Sequence, residues 1–109
     1  MMFKGLYKVE FKTPRRKAMG ILYAADGKLH GGNSAFAYVG SYKETGNTIT
    51  AVVSSMRHTN DPNYPPVFGF DRVTIDCRGS AKGEFATFEG TAAETPSLGF
   101  KALLTRISD

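Results

Sequence analysis

The residue types that most often bind metals or activate water are sparse in this sequence. Its two histidines, His30 and His58, are far apart, and neither has a carboxylate or cysteine at ligand spacing. A zinc site needs three or four clustered ligands, so we expect no metal and no other cofactor. We expect His30 to satisfy polar groups at a turn, and His58 to be solvated.

Nucleophilic and acid–base chemistry also lack a marked site. Cys77 is the single cysteine and falls on the apolar face of an alternating segment, where a thiol packs as a small hydrophobe and is inert. No motif marks a base that would activate it. Four carboxylates occupy outward positions, where we expect solvated charges and not an acid–base pair: Glu10, Asp76, Glu84 and Glu89. The sequence therefore predicts a protein that is not an enzyme.

The charge balance gives limited information about partners. The formal net charge is +4 and the pI is about 9.3, which serves solubility and would also suit an acidic partner. The only basic triplet, Arg15-Arg16-Lys17, is typical of a solvated hairpin tip. Nucleic-acid surfaces usually interleave basic and exposed aromatic residues, so we expect no nucleic-acid partner.

Length and cysteine use place bounds on the class of protein. A chain of 109 residues predicts a single domain over 1–109. A lone cysteine excludes an internal disulfide and leaves the redox compartment either unconstrained or reducing. The N-terminus lacks the apolar run of a signal peptide, and no segment has the length of a membrane span. We therefore expect a cytoplasmic protein with no membrane partner.

Alternation of apolar and polar residues predicts short strands along the whole chain. In segment 6–12, Tyr7, Val9 and Phe11 share one face, and Pro14 ends the strand. Further strands are expected at 19–24, 28–30, 35–42, 48–56, 71–78, 84–92 and 100–107. The connection at 60–66 holds three of the five prolines and is the best candidate for a lid.

One stretch carries most of the turn chemistry. Asp26-Gly27 is a strong signal for a type I′ hairpin turn. Gly31-Gly32 is expected to form a corner, with Asn33 or Ser34 capping one short turn, and it lacks the Gly-Lys-Ser/Thr ending of a phosphate loop. Asp26, Gly27, Gly31 and Gly32 thus define the corner, and Gly20 predicts a bulge or bend in the second strand.

The short, regular spacing of about eight strands is typical of a barrel or a sandwich. Because nearly every connection has hairpin length, we predict an all-β fold, an eight-stranded up-and-down antiparallel β-barrel. Such a barrel is either filled by side chains or holds one small ligand. Tyr7, Tyr23 and Tyr38 are candidates to line a cavity, with core filling as the alternative.

The last two strands place apolar residues on both faces. Phe85 and Phe88 fall on opposite sides, as do Leu103 and Leu104. The outward members are either scattered exposed groups or part of a covered face, most simply a homodimer interface.

Four segments, in their order and spacing, resemble the GrlR-like negative regulators of type III secretion. That family has a Gly-Xaa-Tyr opening strand, a Gly-Xaa-Leu second strand, a Gly-Gly-Asp corner and a Tyr-Xaa-Gly strand. The corresponding segments here are 5–11, 20–22, 26–33 and 38–40. The resemblance covers roughly residues 5–42.

The resemblance implies a small lipocalin-like β-barrel that dimerises and binds a transcriptional activator through an acidic loop after the Tyr-Xaa-Gly strand. Here that loop reads Lys43-Glu44-Thr45-Gly46-Asn47, with one acid in place of four, and Asn33 replaces the family's aspartate. The leading hypothesis is a non-enzymatic regulator that acts through protein–protein contact. The alternative is a carrier that holds an apolar ligand under loop 60–66, which an apolar cavity of several hundred Å³ would favour.

Overall fold

The protein forms a closed antiparallel β-barrel, seen in a computed structural model that describes residues 3–109. Each strand pairs with the next along the chain, and β8 pairs with β1 to close the barrel. The strands are β1 Gly5–Lys12, β2 Lys17–Ala25, β3 Lys28–Gly32, β4 Phe36–Thr45, β5 Thr48–Arg57, β6 Arg72–Lys82, β7 Phe85–Ala92 and β8 Thr95–Ser108. The predicted eight-stranded up-and-down barrel is confirmed.

Strand alternation decides which side chains enter the barrel. In β1, Tyr7 and Val9 are buried while Lys8 between them is exposed. The same period-two pattern buries Ile49 and Ala51 in β5 and exposes the residues between them. Because every strand contributes alternate residues to one interior, a single apolar core runs along the barrel axis.

The Asp26-Gly27 hairpin has the backbone that the sequence predicts. Both residues have positive φ, 51° at Asp26 and 78° at Gly27, as a type I′ turn requires. Gly31 and Gly32, however, do not form the corner. They are the last residues of β3, opposite Leu22 and Ile21 of β2.

Close packing of strands, and not a bend, explains this glycine pair. A Cβ on Gly31 would lie 1.9 Å from the carbonyl oxygen of Ile21, and one on Gly32 would lie 2.5 Å from that of Phe36. The chain reverses after them, at 33–35. The predicted bulge at Gly20 is also absent, since β1 and β2 pair in continuous register through Val9 and Gly20.

Several strands extend beyond their predicted ends. β6 continues to Lys82, so that 79–82 is strand where a turn was expected. β8 begins at Thr95, although Pro96 led us to expect a break there; the pairing of β7 with β8 shifts register between Thr91 and Ala92. The mixed faces of these strands resolve as predicted: Phe88 and Leu104 are buried, and their outward counterparts are exposed.

Candidate functional site

The barrel interior contains an apolar cavity of about 440 Å³. Every strand contributes to its lining, together with the connection between β5 and β6. Most of the lining is aliphatic or aromatic, including Phe11, Val53, Ile75, Phe100 and Leu104. A space of this size and character suits one small apolar ligand.

The cavity reaches the surface where β3 is too short to complete the wall. β3 pairs with β2 only as far as Gly32 opposite Ile21, so residues 17–20 of β2 have no β3 partner. Exposed residues of the lining mark the opening, among them Lys17, Asn63 and Phe70. We call this gap, between the start of β2 and the β5–β6 connection, the mouth.

Asn33 bridges the edge of the mouth. Its side-chain Nδ2 donates to the carbonyl oxygen of Met19 and to Oη of Tyr38, each at 3.0 Å. Its Oδ1 accepts from the backbone N–H groups of Ala35 and Phe36, each at 2.9 Å. The predicted capping role of Asn33 therefore holds for a tight reversal, and the same side chain substitutes for missing strand pairing.

Tyr38 lines the cavity beside this bridge. It packs edge-on against Phe11, with ring centroids 5.6 Å apart. Burial raises the pKa of its hydroxyl well above the usual value. Because Oη already accepts from Asn33, its own proton is free to be donated.

The connection 58–71 between β5 and β6 covers the cavity at the same end as the mouth. Two side chains, Arg57 and Thr13, hold it in place. Arg57 at the end of β5 pairs with Asp71 at 2.8 Å and donates to the carbonyl oxygens of Thr59 and Tyr64. Its guanidinium also lies 4.5 Å from the centre of the Phe36 ring. One side chain thus organises both ends of the segment.

Thr13 fastens the same segment to the β1–β2 turn. Its buried hydroxyl donates to the carbonyl oxygen of Val67 at 2.9 Å. Next to Val67, Phe68 stacks on Phe100 of β8, with ring centroids 5.5 Å apart. The predicted lid at 60–66 therefore contributes Tyr64, Pro65 and Pro66 to the lining and is anchored immediately after it.

Phe3 closes the opposite end of the cavity. Its ring is 1% exposed and lies against Tyr7, Tyr42 and Phe88. Its backbone is also held, since Phe3 N donates to Glu44 Oε1 at 2.7 Å and the Tyr42 hydroxyl donates to Phe3 O at 2.9 Å. Glu44, the one acidic residue of the predicted partner loop, is therefore hydrogen-bonded to another part of its own chain.

The three tyrosines expected at a cavity take different places. Tyr38 lies on the lining; Tyr7 is buried against Phe3 at the closed end, outside the lining. Tyr23 was wrongly assigned: its position in β2 puts it on the outer face with Ile21, and it is 40% exposed. The inward residues of that half of the strand are Leu22 and Ala24.

The remaining candidate residues, Cys77 and the two histidines, lie apart from one another. Cys77 faces the cavity, and burial, aided by the charge of Asp76, raises the pKa of its thiol to about 11. His30 is exposed on β3, and His58 contacts Thr59 Oγ1 and Asn33 O. Among residues 3–109, no three histidine, cysteine or carboxylate side chains are grouped to hold a metal ion.

No protein-family model matches this chain, and no curated protein is significantly similar to it in sequence. Within the described part of the chain, no helix is both long and apolar enough to span a bilayer.

Sequence reasoning missed the residues that shape the mouth and the lid. Arg57 and Thr13 hold the lid through Asp71 and Val67, which lie 14 and 54 positions away in the chain. Phe3 closes the far end of the cavity through Tyr42 and Glu44, which lie 39 and 41 positions away. No local pattern reveals such pairs. Asn33 carried a partial signal, because asparagine after a glycine pair indicates a capped turn.

Proposed function

We propose that this protein binds a small apolar molecule inside its barrel and acts as a carrier for it. The observation that supports this best is the apolar cavity of about 440 Å³, open at one end and closed at the other by Phe3. Eight-stranded barrels have just enough interior for side chains or one small ligand. Here three inward residues, Ala51, Ser55 and Ala102, are too small to fill the interior, so there is room for a ligand.

An uncharged fluorescent probe, N-phenyl-naphthylamine, tests this proposal. We expect saturable fluorescence enhancement with the wild-type protein. Ser55→Phe fills the cavity from β5 and should weaken probe binding about tenfold or more. Ser41→Phe puts the same ring on the exposed face of β4 and should leave probe affinity unchanged. Absence of saturable binding, or equal affinity in both variants, would contradict the proposal.

A second candidate function is regulation through protein–protein contact, the role that the GrlR-like resemblance implies. The outer face of β2, β4 and β5 carries an exposed apolar strip, which consists of Ile21, Tyr23, Val39 and Val52. Each is at least 40% exposed, and His30 lies between Tyr23 and Val39 in the strand register. Exposed apolar groups in such a patch favour a protein interface, either a homodimer or a transcriptional activator.

Solution mass and pulldown test the second candidate. Val39→Lys introduces a charge into the strip and should abolish a dimer or the capture of a stoichiometric protein partner from a lysate. Thr91→Lys, on the exposed face of β7, is the control. A monomeric wild-type protein that captures no protein while a small molecule copurifies would exclude this role. The loop Lys43–Asn47 and a cytoplasmic location belong to the same candidate.

A further inference from the structure

The lining of the cavity is electrically asymmetric. Of the lining residues in the described part of the chain, only Lys17 is charged. It is exposed at the mouth, and it forms no ion pair with a described carboxylate. Arg15 and Arg16 precede it in the same turn, and Lys12 lies directly opposite it in the β1–β2 pairing. The mouth is therefore cationic on one side, whereas the interior is apolar.

The nearby acids do not cancel this charge. Asp71 is paired with Arg57 at 2.8 Å, and Asp61 Oδ1 accepts from the backbone N–H of Asn63 at 2.9 Å. Glu10 stands opposite Met19 in the β1–β2 pairing, diagonal to Lys17. Glu89 lines a surface recess with Lys12 but is paired with Lys101 at 3.7 Å. Of these described acids, one unpaired carboxylate therefore faces a group of four basic residues, so the net field at the mouth favours an anion.

The lining of the cavity reaches both ends of the barrel, from Lys17 and Asn63 at the mouth to Phe3 and Phe88 at the closed end. A single chain can therefore lie along the barrel axis with one end at the mouth. The polar groups inside are few and uncharged, chiefly the hydroxyls of Tyr38 and Ser55. A charged headgroup buried there would lose its hydration without a counterion, so it must remain at the mouth.

We propose that the ligand is a single-chain amphiphile with an anionic headgroup, whose chain lies along the barrel axis and whose headgroup sits beside Lys17. This inference rests on the proposed carrier function and specifies the class of ligand. It also gives a role to the basic triplet Arg15-Arg16-Lys17, because an apolar cavity by itself does not need positive charge at its mouth.

Calorimetric titration with four amphiphiles of equal chain length tests the headgroup. Laurate, lauryl phosphate, lauryl alcohol and lauryl trimethylammonium are each used below their micellar concentrations, at a mildly alkaline pH that ionises the carboxylate. We expect both anions to bind about fivefold more tightly than the alcohol, as for an exposed ion pair, and the cation to bind most weakly. Comparison of laurate with lauryl phosphate distinguishes a fatty acid from a phosphate-headed lipid as the source.

Two matched variants locate the effect. Lys17→Met should lower the ratio of laurate affinity to lauryl alcohol affinity from about five to about one. Lys28→Met removes an equal charge at the start of β3, outside the cavity lining, and should leave the preference intact. Added salt should weaken laurate binding to the wild-type protein and not affect the alcohol.

The outcomes separate this inference from the carrier function. Equal wild-type affinities for laurate and lauryl alcohol, or the same laurate preference in both variants, would overturn the headgroup assignment and leave a carrier of neutral ligands. If none of the four amphiphiles binds while N-phenyl-naphthylamine still does, the headgroup assignment is wrong and the carrier function stands. If neither the amphiphiles nor the probe binds, both are wrong.

Discussion

Gly20 and Tyr38 share one space on the inner wall of the barrel, because a Cβ at Gly20 would lie 2.9 Å from the Tyr38 ring. The ring occupies the room that the glycine leaves, on strands separated by β3. Glycine is therefore needed at this position for side-chain packing, and not for an unusual backbone angle.

The first prediction follows from this contact. Gly20→Ala should lower the free energy of unfolding by about 1–3 kcal/mol, because the methyl group displaces Tyr38 and also meets the carbonyl oxygen of Gly32 at 2.9 Å. Gly99→Ala is the control, since a Cβ there has no heavy atom within 4 Å. Chemical denaturation measures both. The double variant Gly20→Ala/Tyr38→Leu should lose less unfolding free energy than the sum of the losses in the two single variants. Strict additivity would refute the contact.

The architecture was accessible from the sequence because it depends on local signals. Period-two alternation identified the strands, and Asp26-Gly27 identified a hairpin whose positive φ values the structure confirms. The roles of Gly20 and Gly31 were not accessible in the same way. A glycine in a strand signals either a bulge or a close approach, and only the register across neighbouring strands decides between them.

The candidate site was less predictable, because cavities depend on what is missing from the interior. The outward position of Tyr23 follows from its parity with Ile21, which a consistent strand register would have revealed. The mouth forms because β3 ends opposite Ile21 and leaves residues 17–20 of β2 without a β3 partner. The sequence predicted a short β3 at 28–30, but the register that decides which part of β2 stays unpaired has no local signature.

The second prediction concerns the bridge at the mouth. Asn33→Asp keeps an oxygen for the N–H groups of Ala35 and Phe36 but removes the amide donor to Met19 O. We expect a loss of about 1–3 kcal/mol in the free energy of unfolding, because a carboxylate then faces a carbonyl oxygen. Asn47→Asp adds the same charge at an exposed turn and should be near neutral. Equal denaturation midpoints for the two variants would contradict the bridging role.

The third prediction concerns the anchor of the lid. Thr13→Val removes the hydroxyl that donates to Val67 O and should cost about 1–2 kcal/mol of stability. Amide hydrogen exchange in segment 58–71 should accelerate more than in the strands, since the segment loses an attachment. Thr91→Val, at an exposed strand position, should change neither. Uniform acceleration throughout the barrel would show that Thr13 has no specific effect on the lid.

The fourth prediction is a loss of stability at alkaline pH. Burial raises the pKa of Cys77 from its ordinary 9.0 to about 11, so between these values the unfolded chain releases a proton that the folded chain retains. The contribution to stability is complete below pH 9.0 and is lost as the pH rises through about 11. Its size is about 3 kcal/mol, since each pH unit between 9.0 and about 11 contributes about 1.4 kcal/mol.

Urea denaturation across that pH range measures the effect. Cys77→Ala should reduce the decline. The remaining slope reflects Tyr7, Tyr38 and Tyr42, because burial raises the pKa of each of these hydroxyls as well. Alkylation of Cys77 in the folded protein should be slow at neutral pH and continue to accelerate beyond pH 9.0, because the thiolate is the reactive form. A rate that levels off near pH 9.0 would mean that the thiol is not desolvated.

The central claim is that the barrel interior receives a ligand, and intermolecular NOEs to a bound lauryl chain test it most directly. The account predicts contacts from the chain protons to the methyl groups of Val53, Ile75 and Leu104, which line the cavity. Contacts confined to Ile21, Val39 and Val52, on the outer face, would contradict it.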